Sequence, residues 1–282
     1  MTSEQRTGPL RWTDLAWPEI GAVFEARPHD VGLLPVGATE QHGPHLPSGT
    51  DTILATAICE AVSAETKAMV LPAISLGCSY GHGKQLPSTI SLTPEGLASV
   101  VRQTLEWASF SGLRRFLLVN AHFGNQASLM VASDHLRLER PDLRVGVIGW
   151  WSADPEVAAE TAIDGEDIHA NRTETSLMLA VAPNLVNTDR LVASDDPDRT
   201  GDLVFRYTAT SLSTNGVTGR PSEASTELGE RLFARTVAAI SSLVERGRIE
   251  EPPLIDHTPD VLPTSPPGSH DNLTPRSVIS KR

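Results

Sequence analysis

The chain has 282 residues, enough for one large domain or two small ones with a sizeable core. Hydrophobic residues make up 39% and charged residues 21%, which is ordinary for a soluble globular protein. The formal net charge of -12 argues against nucleic-acid binding, which requires a basic face.

Nothing in the sequence predicts a membrane or secreted protein. No apolar run approaches the roughly 18 residues of a membrane span, so we expect no membrane partner. The N-terminal sequence MTSEQRTGPL lacks the apolar core of a signal peptide. The two cysteines, Cys59 and Cys78, do not have the spacing of a disulfide framework. These features predict a cytoplasmic, reducing environment.

Short apolar runs alternate with longer helical patterns along the chain. The predicted strands are 31-VGLLPV-36, 68-AMVLPAI-74, 115-RFLLVN-120 and 144-RVGVIGW-150. The predicted helices cover about 51–66, 94–110, 125–138, 173–182 and 223–246. The alternation predicts an α/β fold, with helices on both faces of a mostly parallel sheet. Because the runs are apolar throughout, we expect the strands to be buried on both sides.

The C-terminal part of the chain has a different composition. Residues 251–282 contain seven prolines and show no hydrophobic periodicity. We interpret residues 1–250 as one domain and residues 251–282 as a disordered or loosely attached tail. A passive terminus is the favoured role for this tail, and a partner-docking arm is the alternative.

Histidines and carboxylates follow the predicted strands. The segment 35-PVGATEQHGPHLPSGTD-51 holds Glu40, His42 and Asp51 between a strand and a helix, and His122 follows the strand 115–120. The carboxyl ends of parallel strands meet at one edge of a sheet, where binding sites form. His169 and Glu174 are a third candidate pair.

Imidazoles and carboxylates in this combination are typical ligands of hydrolytic metal sites. Taken singly, Asp51 could be no more than a helix-capping residue and the histidines ordinary loop residues. Taken together, they favour a site for one or two divalent ions, with Zn, Mn and Fe all compatible. Arg172 could bind an anionic substrate group or, equally, pair with a surface carboxylate.

The segment 77-GCSYG-81 matches the G-x-S-x-G nucleophile elbow of α/β-hydrolases. That motif requires a helix directly after the serine. Pro87 and the β-branched residues in 82-HGKQLPSTISL-92 argue against such a helix. We therefore place Ser79 in the wall of a substrate pocket rather than as a nucleophile.

Five segments, taken in chain order, resemble the creatininase (creatinine amidohydrolase) family. They are 34-LPVGATEQHGPHLPSGTD-51, 86-LPSTISLTPE-95, 115-RFLLVNAHFGN-125, 168-IHANRTETSLMLAVAPNLV-186 and 216-GVTGRPSEASTELGE-230. The resemblance implies a three-layer α/β/α sandwich, a one- or two-metal centre and a homo-oligomer, usually a hexamer. It implies hydrolysis of a non-peptide C–N bond in a small molecule, such as an amide, cyclic amide or formamide, with metal-bound hydroxide as the nucleophile.

By the same resemblance, Glu40, His42, Asp51 and His122 are metal ligands, with Asp51 shared between two ions. His169 is the acid/base or substrate-orienting imidazole. Creatininase proper has a further ligand carboxylate two residues after the histidine, where this chain has Gly124. Glu174 is the nearest carboxylate that could take that place, as a ligand or a catalytic group.

The resemblance to the creatininase family is weaker at the residues expected to contact the substrate. Phe123 replaces a tyrosine, no aromatic residue precedes His169 within 162–168, and the segment 80–89 is shortened. We therefore expect a rebuilt pocket and a substrate other than creatinine. The candidate substrate-binding residues are Ser79, Tyr80, His82, Phe123, Trp151 and Arg172. A peptidase that trims a short peptide precursor and a non-catalytic family member are the alternatives to a small-molecule hydrolase.

Overall fold

The computed structural model describes residues 7–254. Its sheet has five strands: β1 (Leu10–Arg11), β2 (Val31–Val36), β3 (Met69–Val70), β4 (Arg115–Asn120) and β5 (Arg144–Gly149). All neighbouring strands are parallel, in the order β1-β3-β2-β4-β5. The two longest interior strands, β2 and β4, therefore lie at the centre of the sheet.

The longer helices lie between or after the strands. They are α1 (Trp17–Ala26), α2 (Thr50–Thr66), α3 (Pro94–Phe110), α4 (Gln126–Glu139), α5 (Pro155–Thr161), α6 (Arg172–Val181) and α9 (Thr226–Ile249). Two single-turn helices, α7 (Leu191–Ser194) and α8 (Ala209–Leu212), lie between α6 and α9. Short 3₁₀ turns include Tyr80–His82, Phe123–Asn125 and Trp150–Ser152.

The helices cover both faces of the sheet. One apolar core joins the sheet to α2, α5, α6 and α9, and the other joins it to α1, α3 and α4. Side chains alternate across β2, so Leu33 belongs to the first core and Leu34 to the second, and both are fully buried. Each such leucine contributes about 1.5–3 kcal/mol through burial. The predicted three-layer α/β/α fold is confirmed.

The strand predictions hold best at the centre of the sheet. β2 and β4 have the predicted bounds, and every residue of β2 is buried. The predicted strand 68–74 is reduced to the two residues of β3. The expectation of burial on both sides is wrong for β5, whose residues are mostly half-buried or exposed. β5 lies at the edge of the sheet and has only one neighbour, so one side of its backbone faces away from the core.

The five predicted helices are present with small differences at their ends. Local capping explains two of these starts: Thr93 accepts a hydrogen bond from the backbone of Gly96, and Asn171 accepts two at the start of α6. Helices α1 and α5 were not predicted. Each has a proline in its first turn, where the missing backbone N–H breaks no hydrogen bond of the helix.

The sheet places two loops side by side. Val36 ends β2 and Asn120 ends β4, and these two residues are register partners. The loop that contains Glu40 and the loop that contains His122 therefore leave the same edge of the sheet, as predicted from the parallel order.

The chain divides into two units, Met1–Ile249 and Glu250–Arg282. In the second unit the described residues, 250–254, are exposed and form neither helix nor strand. The remainder of the segment predicted to be disordered lies outside the described residues. Within residues 7–254, no helix combines the length and apolar character needed to cross a membrane.

Candidate metal centre

The loop between β2 and α2, together with the first turn of α2, holds three of the predicted ligands. The backbone N–H of Glu40 donates to the carbonyl of Ser48 at 2.9 Å, which closes the loop on itself. Gly43 has a φ of +64°, a conformation that residues with a side chain rarely adopt. The loop turns the side chains of Glu40 and His42 inward, and Asp51 follows in the first turn of α2; all three are buried.

His122 reaches the same cluster from the end of β4. Its backbone N–H donates to Oδ1 of Asn120 at 3.0 Å, and its Nε2 donates to the carbonyl of Cys78 at 3.1 Å. With the Nε2 proton engaged in this way, Nδ1 is the free nitrogen. It lies 3.1 Å from Oε1 of Glu40. Glu40, Asp51 and His122 thus form a group of three buried residues that could hold a metal ion, with possible ligand atoms within 4.8 Å of one another.

Asp51 lies between two imidazoles. Its Oδ1 is 3.1 Å from Nε2 of His42, and its Oδ2 is 3.7 Å from Nδ1 of His122. Nδ1 of His42 lies 3.3 Å from the carbonyl of Glu40, so Nε2 is the nitrogen that faces Asp51. The two oxygens of one carboxylate therefore point to histidines on opposite sides.

A second group of three buried residues that could hold a metal ion consists of His42, His169 and Glu174. Asn171 caps the start of α6 and fixes the position of Glu174 in its first turn. The backbone N–H of Ala170 donates to Oε2 of Glu174 at 2.5 Å. His169 and Glu174, predicted from a separate segment of the sequence, therefore lie beside the ligands of the first loop.

His82 is the residue whose position differs most from the sequence prediction. We predicted a substrate-binding role, but the turn Tyr80–His82 brings its Nε2 to 3.2 Å from Oε2 of Glu40. Glu40, His82 and His169 form a third group of possible ligands. His82 lies in the shortened segment 80–89, where no motif indicates that it lies among the possible ligands.

Opposite charges set the protonation of the first group. Burial opposes ionisation of Glu40, but the charges of His122 and His82 hold the pKa of Glu40 well below its usual value. Burial lowers the pKa of His42 and of His122, yet Asp51 and Glu40 outweigh it. The pKa of His42 rises to about 10 and that of His122 to about 9.

For three further buried side chains, the pKa shifts favour the neutral form. Burial raises the pKa of Glu174 to about 8, although the charge of His42 opposes the shift. Burial, reinforced by Glu40, also raises the pKa of Asp51. Burial and the neighbouring charges of His82 and His42 hold the pKa of His169 well below its ordinary range.

The donor set fits divalent cations. Among the described residues, both oxygens of Glu40, Oδ2 of Asp51 and Nε2 of His42 are buried without a hydrogen-bond partner. Leaving such groups unpaired is costly, and a bound cation would satisfy them. Mixed carboxylate and imidazole ligation suits Zn, Mn or Fe.

The candidate substrate-binding residues lie in different environments. The ring of Phe123 is 43% exposed and stacks on Trp151 with 4.1 Å between ring centroids. Tyr80 is also exposed, whereas Ser79 is buried. A 3₁₀ turn rather than an α-helix follows Ser79, so the nucleophile-elbow arrangement is absent at this position.

Arg172 does not face the ligand groups. Its guanidinium pairs with Glu160 of α5, which also receives a hydrogen bond from Arg231 at 3.0 Å. Of the two roles that the sequence left open for Arg172, the structure therefore favours the ion pair over contact with a substrate.

His45 and Gln41 lie beside the possible ligands. Nε2 of His45 lies 2.9 Å from the hydroxyl of Thr175, and His45 belongs to none of the three ligand groups found among residues 7–254. The side chain of Gln41 lies 3.0 Å from His82 and 2.8 Å from His169. The motifs of the sequence did not single out Gln41. The one available signal is that residue 41 stands between the candidate ligands Glu40 and His42 in the sequence.

Comparison with known proteins agrees with this geometry. The model of the creatinine amidohydrolase (creatininase) family matches residues 13–244. The chain is 33% identical over 227 residues to the mycofactocin precursor peptide peptidase of Mycolicibacterium smegmatis. The aligned region covers 76% of this chain and 84% of that protein. It is 34% identical over 257 residues to the creatinine amidohydrolase of Pseudomonas putida, covering 85% and 96%.

A solved mutant creatininase described as Zn–Zn type has a TM-score of 0.76 at 31% identity, covering 86% of this chain and 99% of that one. Fold and site together define an α/β/α hydrolase with a buried carboxylate and imidazole centre at the carboxyl edge of its sheet. The chain belongs to the creatininase family.

Proposed function

We propose that this protein is a metal-dependent hydrolase of a C–N bond, of the amide, cyclic amide or formamide type, in a small molecule. The observation that carries the proposal is the position of Asp51. One of its oxygens faces His42 and the other faces His122, so a single buried carboxylate connects two groups of possible ligands.

The ligands divide into two sets. We propose that Glu40, Asp51 and His122 hold one ion, and that His42 and Glu174 hold a second with Asp51 between them. Glu174 thus takes the place of the carboxylate missing at Gly124. A divalent ion held there acts as a Lewis acid that lowers the pKa of a bound water and polarises the amide carbonyl.

His169 is suited to move a proton. Its Nδ1 lies 3.6 Å from Oε1 of Glu40, at the centre of the cluster. In the proposed reaction, Nδ1 accepts the proton that the attacking water loses. The same nitrogen then returns this proton to the leaving nitrogen.

The aromatic pair at the centre's edge is suited to substrate binding. Phe123 directly follows His122, and its exposed ring stacks on Trp151. A planar amide or lactam could pack against this aromatic surface. We expect Phe123→Ala to raise KM with little change in metal content, since Phe123 offers no ligand atom.

The experiment is a screen of lactams, formamides and short peptides against protein reconstituted with Zn, Mn or Fe. Bound metal is measured in parallel by elemental analysis. We expect at least one ion per chain and hydrolysis that is lost in His122→Ala. Protein that holds well under one ion per chain and hydrolyses nothing is the result expected of a non-catalytic family member.

Peptide trimming is the second candidate function. It is favoured by the 33% identity to the mycofactocin precursor peptide peptidase and by the exposed rings of Tyr80 and Phe123. Exposed apolar side chains beside the centre could contact a longer substrate. The same screen separates the two functions: a peptidase hydrolyses short peptides with higher kcat/KM than lactams or formamides.

A further inference from the structure

The outer edge of β5 is an open strand edge. β5 pairs with β4 on one side, and among the described residues no strand lies on its other side. The opposite end of the sheet is formed by β1, which has only two residues. A short edge strand offers little backbone for pairing, whereas the six residues of β5 contain no proline and offer a longer row. β5 is therefore the edge of the sheet to which a further strand can be added.

The register identifies the backbone groups on this edge. The N–H of Arg144 donates to the carbonyl of Arg114 at 2.8 Å, so the backbone of Arg144 faces β4. Successive residues of a strand direct their backbone groups to opposite sides, so Gly146 and Ile148 also face β4. The residues whose backbone groups face outward are Val145, Val147 and Gly149.

The middle of this outward row is unpaired. The hydroxyl of Ser133 lies 3.5 Å from the carbonyl of Val145, and the hydroxyl of Ser152 donates to the carbonyl of Gly149 at 3.1 Å. Between them, in the described part of the chain, no hydrogen bond reaches the N–H or the carbonyl of Val147. Unpaired groups in such a row are a template for pairing with another extended chain.

The open edge leads to the candidate metal centre. Gly149 ends β5 and is the register partner of Asn120, which lies two residues before His122. The ring of Trp151 lies against Gly149, where an added Cβ would be 2.5 Å from it, and the same ring stacks on Phe123. A strand added to β5 would lie about 4.8 Å beyond it and end beside this aromatic pair.

An extended peptide is the occupant that these features favour. Its main chain presents alternating N–H and C=O groups that match the row on β5, and pairing through them requires no particular side chain. A second copy of the chain could pair with the same edge. Only a substrate, however, makes use of an edge that ends at the metal centre.

We propose that the outer edge of β5 binds an extended peptide by strand addition and directs it past Trp151 and Phe123 to the centre. About five residues of the peptide pair with residues 145–149. The substrate class is thus a peptide with an extended segment on one side of the bond that is cleaved. The inference rests on peptide trimming, the second candidate function, but it concerns binding, which is measured separately from hydrolysis.

The test is a titration of the full-length protein with the acetylated, amidated pentapeptide VTVTV, whose residues favour extended structure. Calorimetry gives Kd, and hydrogen–deuterium exchange at single-residue resolution locates the peptide. At about ten times Kd, exchange of the Val147 N–H should slow about tenfold. The N–H of Ile148 faces β4 and should exchange slowly with or without peptide. Mass spectrometry of the peptide scores cleavage separately, so loss of binding and loss of hydrolysis are distinguished.

Three results would overturn the inference. The first is no binding of the pentapeptide, and the second is binding that leaves exchange at Val147 unchanged. The third is slow exchange of the Val147 N–H in the free protein, because the edge would then already be paired, as in an edge-to-edge assembly of two copies.

A modified peptide and two variants isolate main-chain pairing. N-methyl groups on the third and fourth residues block both edges of the peptide, so its binding should be lost. Val147→Pro removes the outward N–H, which an edge strand tolerates, and should weaken binding about threefold to tenfold. Val147→Ala is the matched control, because it shortens the same side chain but keeps the N–H, and should bind as wild type does. Equal affinity for the methylated and unmethylated peptides would contradict strand addition, even if Val147→Pro does not fold.

Discussion

The carbonyl oxygen of Cys78 occupies the space that a Cβ on Gly124 would need. The same Cβ would also collide with Nε2 of His122, the nitrogen that donates to this carbonyl. The position at which the family resemblance implies a further ligand carboxylate is thus closed in this chain. Because Gly124 has no side chain, His122 can keep its hydrogen bond to the carbonyl of Cys78.

We therefore predict that Gly124→Ala weakens zinc binding. The added methyl group displaces His122 from its hydrogen bond with Cys78, and overpacking of this kind costs about 1–3 kcal/mol of stability. Chelator competition and thermal unfolding measure the two effects. Gly201→Ala is the control, because a Cβ at this exposed position meets nothing within 4 Å. Zinc affinity equal to that of wild type in Gly124→Ala would show that the loop adapts.

The sequence predicted which candidate side chains at strand and helix ends lie together better than it predicted the contacts between loops. Glu40 and His122 follow adjacent parallel strands, so the order of elements is sufficient to bring them together. The position of His82 depends on a 3₁₀ turn in a segment without periodicity, and that of Arg172 on the surface of α5. Such contacts are determined by tertiary packing, which a local pattern does not encode.

Asp51→Asn should uncouple the two ligand groups. The amide keeps the shape of the carboxylate but removes its charge and one acceptor atom. We expect bound zinc to fall to one ion per chain or fewer, and the increase in Tm on adding zinc to shrink accordingly. Elemental analysis and thermal unfolding with and without zinc measure this. Asp134→Asn, at an exposed position on α4, is the control. Full zinc content in Asp51→Asn would contradict the shared-ligand assignment.

Arg172→Met should affect stability more than catalysis. Its side chain is only 16% exposed and pairs with Glu160, away from the ligand groups. Because Arg231 still contacts Glu160, we expect the free energy of unfolding to fall by only about 1 kcal/mol. Steady-state kinetics should give kcat/KM within about threefold of wild type, a change of under 1 kcal/mol in ΔG‡.

The Arg172 prediction has a control within the same ion pair. Glu160→Gln removes the partner charge, and a double-mutant cycle separates the pair from other losses. A tenfold increase in KM in Arg172→Met but not in Glu160→Gln would restore the substrate-binding role that the sequence left open.

His45 should make the metal-free protein less stable in mild acid. Burial, aided by the charge of His42, lowers the pKa of His45 from 6.5 to about 4. Between these two values the unfolded chain binds a proton that the folded protein does not, so stability falls as pH decreases from 6.5 to 4. From pH 7.5 to pH 5, this one group should reduce the free energy of unfolding by about 2 kcal/mol.

Urea unfolding of wild type, His45→Gln and His135→Gln at the two pH values measures this contribution. The glutamine can still hydrogen-bond to Thr175 but does not titrate, so His45→Gln should lose about 2 kcal/mol less than wild type on acidification. His135 is exposed on α4, so His135→Gln controls for the replacement of a histidine outside the buried cluster. An acid-induced loss in His45→Gln equal to that of wild type would show that other groups account for the whole pH dependence.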